Sequence, residues 1–120
     1  MNPQIIGISG SPIKNSNTDR LVQAVLESSG LSFEFVKLSG INVRPCIACL
    51  GCKKDNICKV KDDFPELAEK VRHAGAVVVG GYSPYGSADG FTKAFLERLF
   101  SLRHQNGLNR GKLAVVVATG

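Results

Sequence analysis

Short apolar runs alternate with longer amphipathic segments along this chain. Ile5, Ile6 and Ile8 open the pattern, and the run ends in the small polar segment Ser9-Gly10-Ser11-Pro12, so residues 4–9 read as a buried strand. Thr18-Asp19 is a helix-start signal. Leu21, Val22, Val25 and Leu26 follow at helical spacing, and Gly30 stops the helix. Ser32 to Leu38, with Phe33, Phe35 and Val36, reads as a second strand. Asp63 before Phe64-Pro65 predicts a cap and a second helix, with Leu67, Ala68, Val71 and Ala74 as its apolar stripe. Ala76 to Val79 predicts a third strand ending in Gly80-Gly81. The polar loop Tyr82 to Gly90 then leads to a helix over about 92–104, buried through Phe95, Leu96, Leu99 and Leu102. After a Gly/Asn-rich turn, Leu113 to Ala118 is a fourth, wholly apolar strand.

Strands alternating with helices predict right-handed βαβ units, hence a parallel sheet buried on both faces. With 120 residues and no repeat or linker, the chain reads as one α/β domain over 1–120, with a cysteine-rich loop at about 39–63. A five-stranded doubly wound sheet needs one more strand and helix after Gly120. The expectation is that the C-terminal part is missing, or that a partner covers the open edge.

Composition narrows the function. Apolar residues are 43% and charged residues 21%, as in an ordinary globular protein. No apolar run reaches the ~20 residues of a membrane span and no signal pattern opens the chain, so no membrane partner is expected and the cytoplasm is the expected location. The net charge of +5 comes from scattered Lys and Arg, of which only Lys53, Lys54, Lys59 and Lys61 cluster. With 7% aromatics and no interleaving of basic and stacking residues, nucleic acid is not expected as a partner. His73 and His104 read as structural, and no Ser/His/Asp or paired-carboxylate arrangement supports hydrolysis.

Three segments carry candidate chemistry. Gly7 to Thr18 is a strand-to-helix loop whose hydroxyls and N–H groups converge where the helix dipole is positive, an anion site suited to a terminal phosphate. It has neither Walker nor G-x-G-x-x-G spacing, and its Ser, Asn and Thr favour a monophosphate. Cys46-x2-Cys49-x2-Cys52-x5-Cys58 places all four cysteines of the chain in one loop. That spacing suits a [4Fe–4S] cluster; structural zinc and dithiol chemistry are the competing readings. Ser83 to Gly90 follows the third strand, and in a doubly wound sheet it faces the same crevice as the first loop. Gly86 and Gly90 allow close approach of a flat ring, and Tyr85 can stack or hydrogen-bond at its edge.

Gly10-Ser11-Pro12-x-Lys14-Asn15-Ser16-Asn17-Thr18 resembles the GSPRKNGNT loop of NADPH-dependent FMN reductase-like flavoproteins. Pro45-Cys46 to Cys58, followed by Asp62-Asp63, resembles the iron–sulfur flavoproteins of archaea and anaerobic bacteria. Ser83-Pro84-Tyr85-Gly86-Ser87 and Lys93-Ala94-Phe95-Leu96-Glu97-Arg98 look like their flavin-ring loop and following helix. The resemblance implies a flavodoxin-like three-layer α/β/α fold with strand order 2-1-3-4(-5), here without the last strand and helix. It implies FMN with its phosphate at Ser9, Ser11, Pro12, Lys14, Ser16, Asn17 and Thr18 and its ring on Pro84, Tyr85, Gly86 and Ser87. It implies a [4Fe–4S] cluster on Cys46, Cys49, Cys52 and Cys58, and a homodimer or homotetramer. The expected activity is that of an oxidoreductase passing electrons from ferredoxin or NAD(P)H to an acceptor. The alternatives are an NAD(P)H-dependent FMN or quinone reductase without a cluster, and a zinc-stabilised binding module. Two departures from the family pattern stand out: the ring loop is a residue or two shorter than usual, and Asp89 places an acid beside it.

Overall fold

The computed structural model describes residues 3–104 and 112–119, and the Gly/Asn-rich turn before the last strand lies outside them. Four strands, β1 (Ile5–Ser9), β2 (Phe33–Lys37), β3 (Ala76–Tyr82) and β4 (Leu113–Thr119), form one parallel sheet in the order β2-β1-β3-β4. Three helices connect or flank them: α1 (Asn17–Ser28), α2 (Phe64–His73) and α3 (Gly90–Arg98), the last continued by a 3₁₀ turn over Leu99–Leu102. The architecture is the expected flavodoxin-like α/β sandwich with order 2-1-3-4.

Side-chain alternation in the strands sorts the core into two layers. Ile5 and Val78 face α1 and meet Val22 and Leu26. Ile6, Ile8 and Val77 face the other way, against Phe64, Leu67, Ala68 and Val71 of α2 and Phe95 of α3. Phe64 and Phe95 meet edge to face with centroids 6.2 Å apart, an arrangement worth about 0.5–1.5 kcal/mol beyond burial. On α1, Val22 and Leu26 carry the contact, whereas Leu21, expected on the same stripe, is exposed.

Three boundaries differ from the sequence expectation. β3 runs on through Gly80 and Gly81 to Tyr82, because both glycines lie under α1 or α3. β4 is not buried on both faces: it is one of the sheet's two edge strands, and Val116 on its open face is 78% exposed. Asp63 makes no cap bond to α2; its carboxylate accepts from the N–H of Asn42 at 2.6 Å, while Asp62 Oδ1 accepts from the N–H of Phe64 at 3.0 Å. The acidic pair is therefore split between closing the cysteine loop and starting the helix.

Gly80 matters through contact. A Cβ there would lie 2.4 Å from Val22 Cγ2 and 3.1 Å from Thr18 Cγ2, so α1 sits as close to β3 as a bare backbone permits. Gly80→Ala is expected to cost about 1–3 kcal/mol through overpacking. Urea unfolding measures it, and an unchanged midpoint would show that α1 can move aside freely.

Candidate functional site

The order β2-β1-β3 reverses the chain's direction of travel across the sheet between β1 and β3, and ligand crevices form at the carboxyl ends of such a pair. The first loop leaves β1 there and the third loop leaves β3. They are in direct contact: Gly10 donates its N–H to Gly80 O at 2.9 Å. A Cβ on Gly10 would stand 1.9 Å from Thr92 Oγ1 and 2.6 Å from Asp89 Oδ2. Only glycine lets the two loops share one wall.

The first loop is braced from behind. Ser9 is fully buried and donates its hydroxyl proton to Asp19 Oδ1 at 2.6 Å, while accepting from the N–H of Ser11. Ser16 and Asp19 form a capping box at the start of α1, each side chain accepting from the other's N–H. Lys37 reaches from β2 to Asp19 Oδ2 at 2.5 Å and to the carbonyl of Ile13 at 2.7 Å. Burial pushes the Asp19 carboxyl up, but the bonds from Lys37 and Ser9 outweigh it and hold the group below its ordinary value. With Asp19 ionised and neutralised by Lys37, the cap does not oppose an incoming anion.

Of the residues expected at the phosphate, Pro12, Lys14 and Asn17 are exposed at the loop's surface. Ser11 is buried in the loop's turn, and Thr18 is buried with its hydroxyl bonded to Thr119 Oγ1 at 2.8 Å. Asn17 and Thr18 are the first two residues of α1, whose N–H groups have no intrahelical acceptor. Ser9 stands in the layer below, holding Asp19. The structure thus brings these residues to one loop, in two tiers.

The ring loop is the converse, exposed from Ser83 to Ala88, with Tyr85 96% exposed and Gly86 at φ +72°. Asp89 is fully buried and points away from solvent. Its Oδ1 accepts from the N–H of Tyr82 and the hydroxyl of Thr92, and its Oδ2 accepts from the N–H of Thr92. Its own N–H returns to Tyr82 O at 2.9 Å. The acid noted beside this loop is therefore the clasp that shuts it and the cap of α3. Ser83, Ser87 and Ala88 border an apolar hollow of about 470 Å³ that extends over Val116 and Ala118 of β4.

The cysteine loop lies against the other end of α3. Cys46, Cys49, Cys52 and Cys58 line one concavity with Val60, Arg98 and Phe100. Cys46 and Cys49 are exposed, Cys52 is buried and Cys58 lies between. Among the described residues no three His, Cys, Asp or Glu side chains stand close enough to hold a metal ion, so the thiols share a basin without converging. Burial pushes the Cys52 thiol up, and the charges of Cys58, Cys46 and Cys49 add to that push. Ala48, Leu50 and Asn56 all have φ near +60°, a conformation costly for residues with a Cβ and concentrated at functional loops.

Arg98 closes this basin. It is 1% exposed, stacks 4.6 Å from the centroid of Phe64, and grips Asp62 with two bonds of 2.6 and 2.9 Å. It also donates to the carbonyl of Arg44 at 2.9 Å and to Cys58 Sγ at 3.2 Å. Its Nε is buried with no acceptor among the described residues, and the side chain lines the same concavity as the four cysteines. Burial pushes the Asp62 carboxyl up, yet Arg98 and the N–H groups of Arg44 and Phe64 hold it at about 2. The roles of Arg98 and Lys37 were not anticipated. The available signal was an arginine on the same helical stripe as the buried Phe95 and Leu102.

The family described as NADPH-dependent FMN reductase matches residues 3–120. An iron-sulfur flavoprotein of Methanosarcina thermophila is 32% identical over 98% of this chain and 63% of its own length. One from Methanocaldococcus jannaschii is 33% identical over 98% of this chain and 62% of its own. The chain thus spans about three-fifths of the curated relatives it matches. A crystal structure of the apo form of an NADH:FMN oxidoreductase superposes with a TM-score of 0.63 and 25% identity, covering 97% of this chain and 57% of that one.

The depressed Asp62 carboxyl gives stability a pH dependence. Folded at about 2 against an unfolded value of about 4, it contributes about 2 kcal/mol, complete above pH 4 and lost as the pH falls through 2. Asp62→Asn should therefore be clearly less stable than the parent at pH 6, with the gap narrowing towards pH 2. Urea titrations across that range test it, and a gap independent of pH would refute the assignment.

Proposed function

The chain belongs to the NADPH-dependent FMN reductase family, and on that premise we propose that it is the FMN-binding part of an electron-transfer flavoprotein that also carries a [4Fe–4S] cluster. The observation that carries the flavin reading is the contact of the first and third loops through Gly10, Asp89 and Thr92 at the β1/β3 crossover. One loop is built for an anion and the other is open, turned through Gly86 at positive φ and bordered by apolar wall.

In this reading Ser11, Pro12, Lys14, Ser16, Asn17 and Thr18 surround the phosphate, with Ser9 fixing Asp19 beneath them. Lys14 supplies positive charge at the rim, and the N–H groups of Asn17 and Thr18 supply donors aligned with the helix dipole. Pro84, Tyr85, Gly86 and Ser87 lie under or against the ring, positioned by the Asp89 clasp. Bound FMN exchanges electrons in pairs or singly, which lets it couple a two-electron donor to a one-electron carrier. The protein's part is to bind and orient it.

Cys46, Cys49, Cys52 and Cys58 would hold the cluster. Their donor chemistry suits iron and sulfide, and the Nε of Arg98, without an acceptor among the described residues, offers a further donor at the same basin. Taking up the cluster requires the loop to draw its thiols inward. The M. thermophila and M. jannaschii relatives carry the name iron-sulfur flavoprotein, which supports this set. Ferredoxin or NAD(P)H would be the donor, and a homodimer or homotetramer the assembly. Among the described residues no helix is long and apolar enough to cross a membrane. A second reading, direct flavin reduction by NADH or NADPH without a cluster, is favoured by the name of the superposed oxidoreductase.

Protein prepared without oxygen is expected to show flavin absorbance on a broad cluster absorbance that dithionite bleaches, with iron and acid-labile sulfide in fourfold excess over chain. Flavin without iron, together with fast bleaching by NADPH alone, would move the protein to the second reading. A colourless protein containing zinc would end both.

A further inference from the structure

The feature that the flavin and the four thiols leave unexplained is the buried arginine between them. Arg98 ends α3, the helix that Asp89 begins, so one rigid element of about two and a half turns runs from the ring-loop clasp to the cysteine basin. A guanidinium inside a protein is costly to desolvate, and its partners must offset that cost. Asp62 meets it with a two-pronged contact, and both side chains are fully shielded from solvent. That pair carries no net charge. What remains is directional: Nη2 presents an N–H to Cys58 Sγ at 3.2 Å, and Nε presents another with no acceptor among the described residues. The same side chain reaches the carbonyl of Arg44 at the start of the cysteine loop and Asp62 at its end.

We propose that Arg98 is a positioning residue for the cluster, holding Cys58 against the end of α3 and, through its N–H donors, making one-electron reduction of the cluster more favourable. The inference rests on the reading of the four cysteines as cluster ligands. Its physical basis is that adding one electron to the 2+ cluster, giving the 1+ state, raises the negative charge on the ligand sulfurs. A donor hydrogen bond to sulfur stabilises the reduced state more than the oxidised one. Because Asp62 already offsets the arginine's charge, the effect belongs to oriented N–H groups. A lysine at 98 would keep the charge and could still meet Asp62. Its compact ammonium lacks the planar fork that serves Asp62, Arg44 and Cys58 together.

Potentiometric titration followed by EPR, on protein whose cluster was reconstituted without oxygen, provides the test. Arg98→Lys is expected to lower the cluster potential by about tenfold in electron affinity, or ~59 mV for one electron. The double variant Arg98→Met, Asp62→Asn removes the charge pair together, so that no uncompensated carboxylate stays buried. It should shift the potential in the same direction, and it serves if the lysine variant does not fold. On the parent protein, pulsed EPR of the reduced cluster with ¹⁵N-arginine should reveal a nitrogen coupling that Arg98→Lys abolishes. An unchanged potential in a folded variant that retains its cluster would overturn the role of Arg98 and leave the cluster reading standing. Failure of the parent to take up iron and sulfide would overturn the cluster reading itself, and this inference with it.

Discussion

The ion pair between Asp62 and Arg98 is the interaction on which the functional end of this molecule depends. It joins the last turn of α3 to the exit of a long excursion that contains no regular structure beyond one 3₁₀ turn. An excursion of that kind would ordinarily wander, since its backbone groups have no ladder to join. Here Asp62 accepts from Arg44 and Phe64 while gripping Arg98, and Asp63 takes the N–H of Asn42. Two adjacent carboxylates thus tie both ends of the loop to each other, and Arg98 ties that knot to the core. Removing either partner would strand a charge in a dry site, a far larger penalty than losing a surface pair.

The crevice at the other end of α3 obeys a different constraint, one of space. Gly10 must lack a side chain for the first loop to lie against Asp89 and Thr92, and Gly80 must lack one for α1 to approach β3. Buried polar groups then fill the gap without loose ends: Ser9 serves Asp19, and Asp89 serves Tyr82 and Thr92. The result is a site whose inner tier is hydrogen-bonded throughout. Its outer tier, Lys14, Asn17 and Tyr85, is open to solvent. Separating the groups that hold shape from the groups open to solvent keeps the first from being disturbed by whatever meets the second.

Most of the fold was legible because the signals were local. Ile5-Ile6-Gly7-Ile8 and Ala76 to Val79 are apolar runs too short for helices, and the α2 stripe has helical spacing. The errors lie where long-range geometry decides. Nothing near β4 in sequence says that one of its faces is open. Leu21 fits the helical stripe as well as Val22 does, and only the sheet's position settles which one is covered. Asp63 looks like a cap because it precedes Phe64-Pro65, but its neighbour takes the bond. The candidate site shows the same division. The loop compositions marked out the hydroxyls, the cysteines and the ring loop, whereas the supporting charges Lys37 and Arg98 act across 18 and 36 residues from Asp19 and Asp62.

The parallel register carries a consequence for how the molecule assembles. β1 pairs with β3, whose residues lie about seventy positions further along the chain, and the Gly10–Gly80 contact spans the same gap. Pairings so distant in sequence must meet a large loop-closure entropy before they return any contact energy, which makes such topologies slow to form. During synthesis the first loop and α1 emerge early, yet they remain half a crevice until β3 and the Asp89 clasp arrive. A ligand that bridges both loops has almost nothing to bind in the partly folded chain and everything to bind in the closed one. By mass action such a ligand draws the folding equilibrium towards closure, so on the proposed reading the supply of flavin during synthesis becomes a determinant of how much chain reaches its native form.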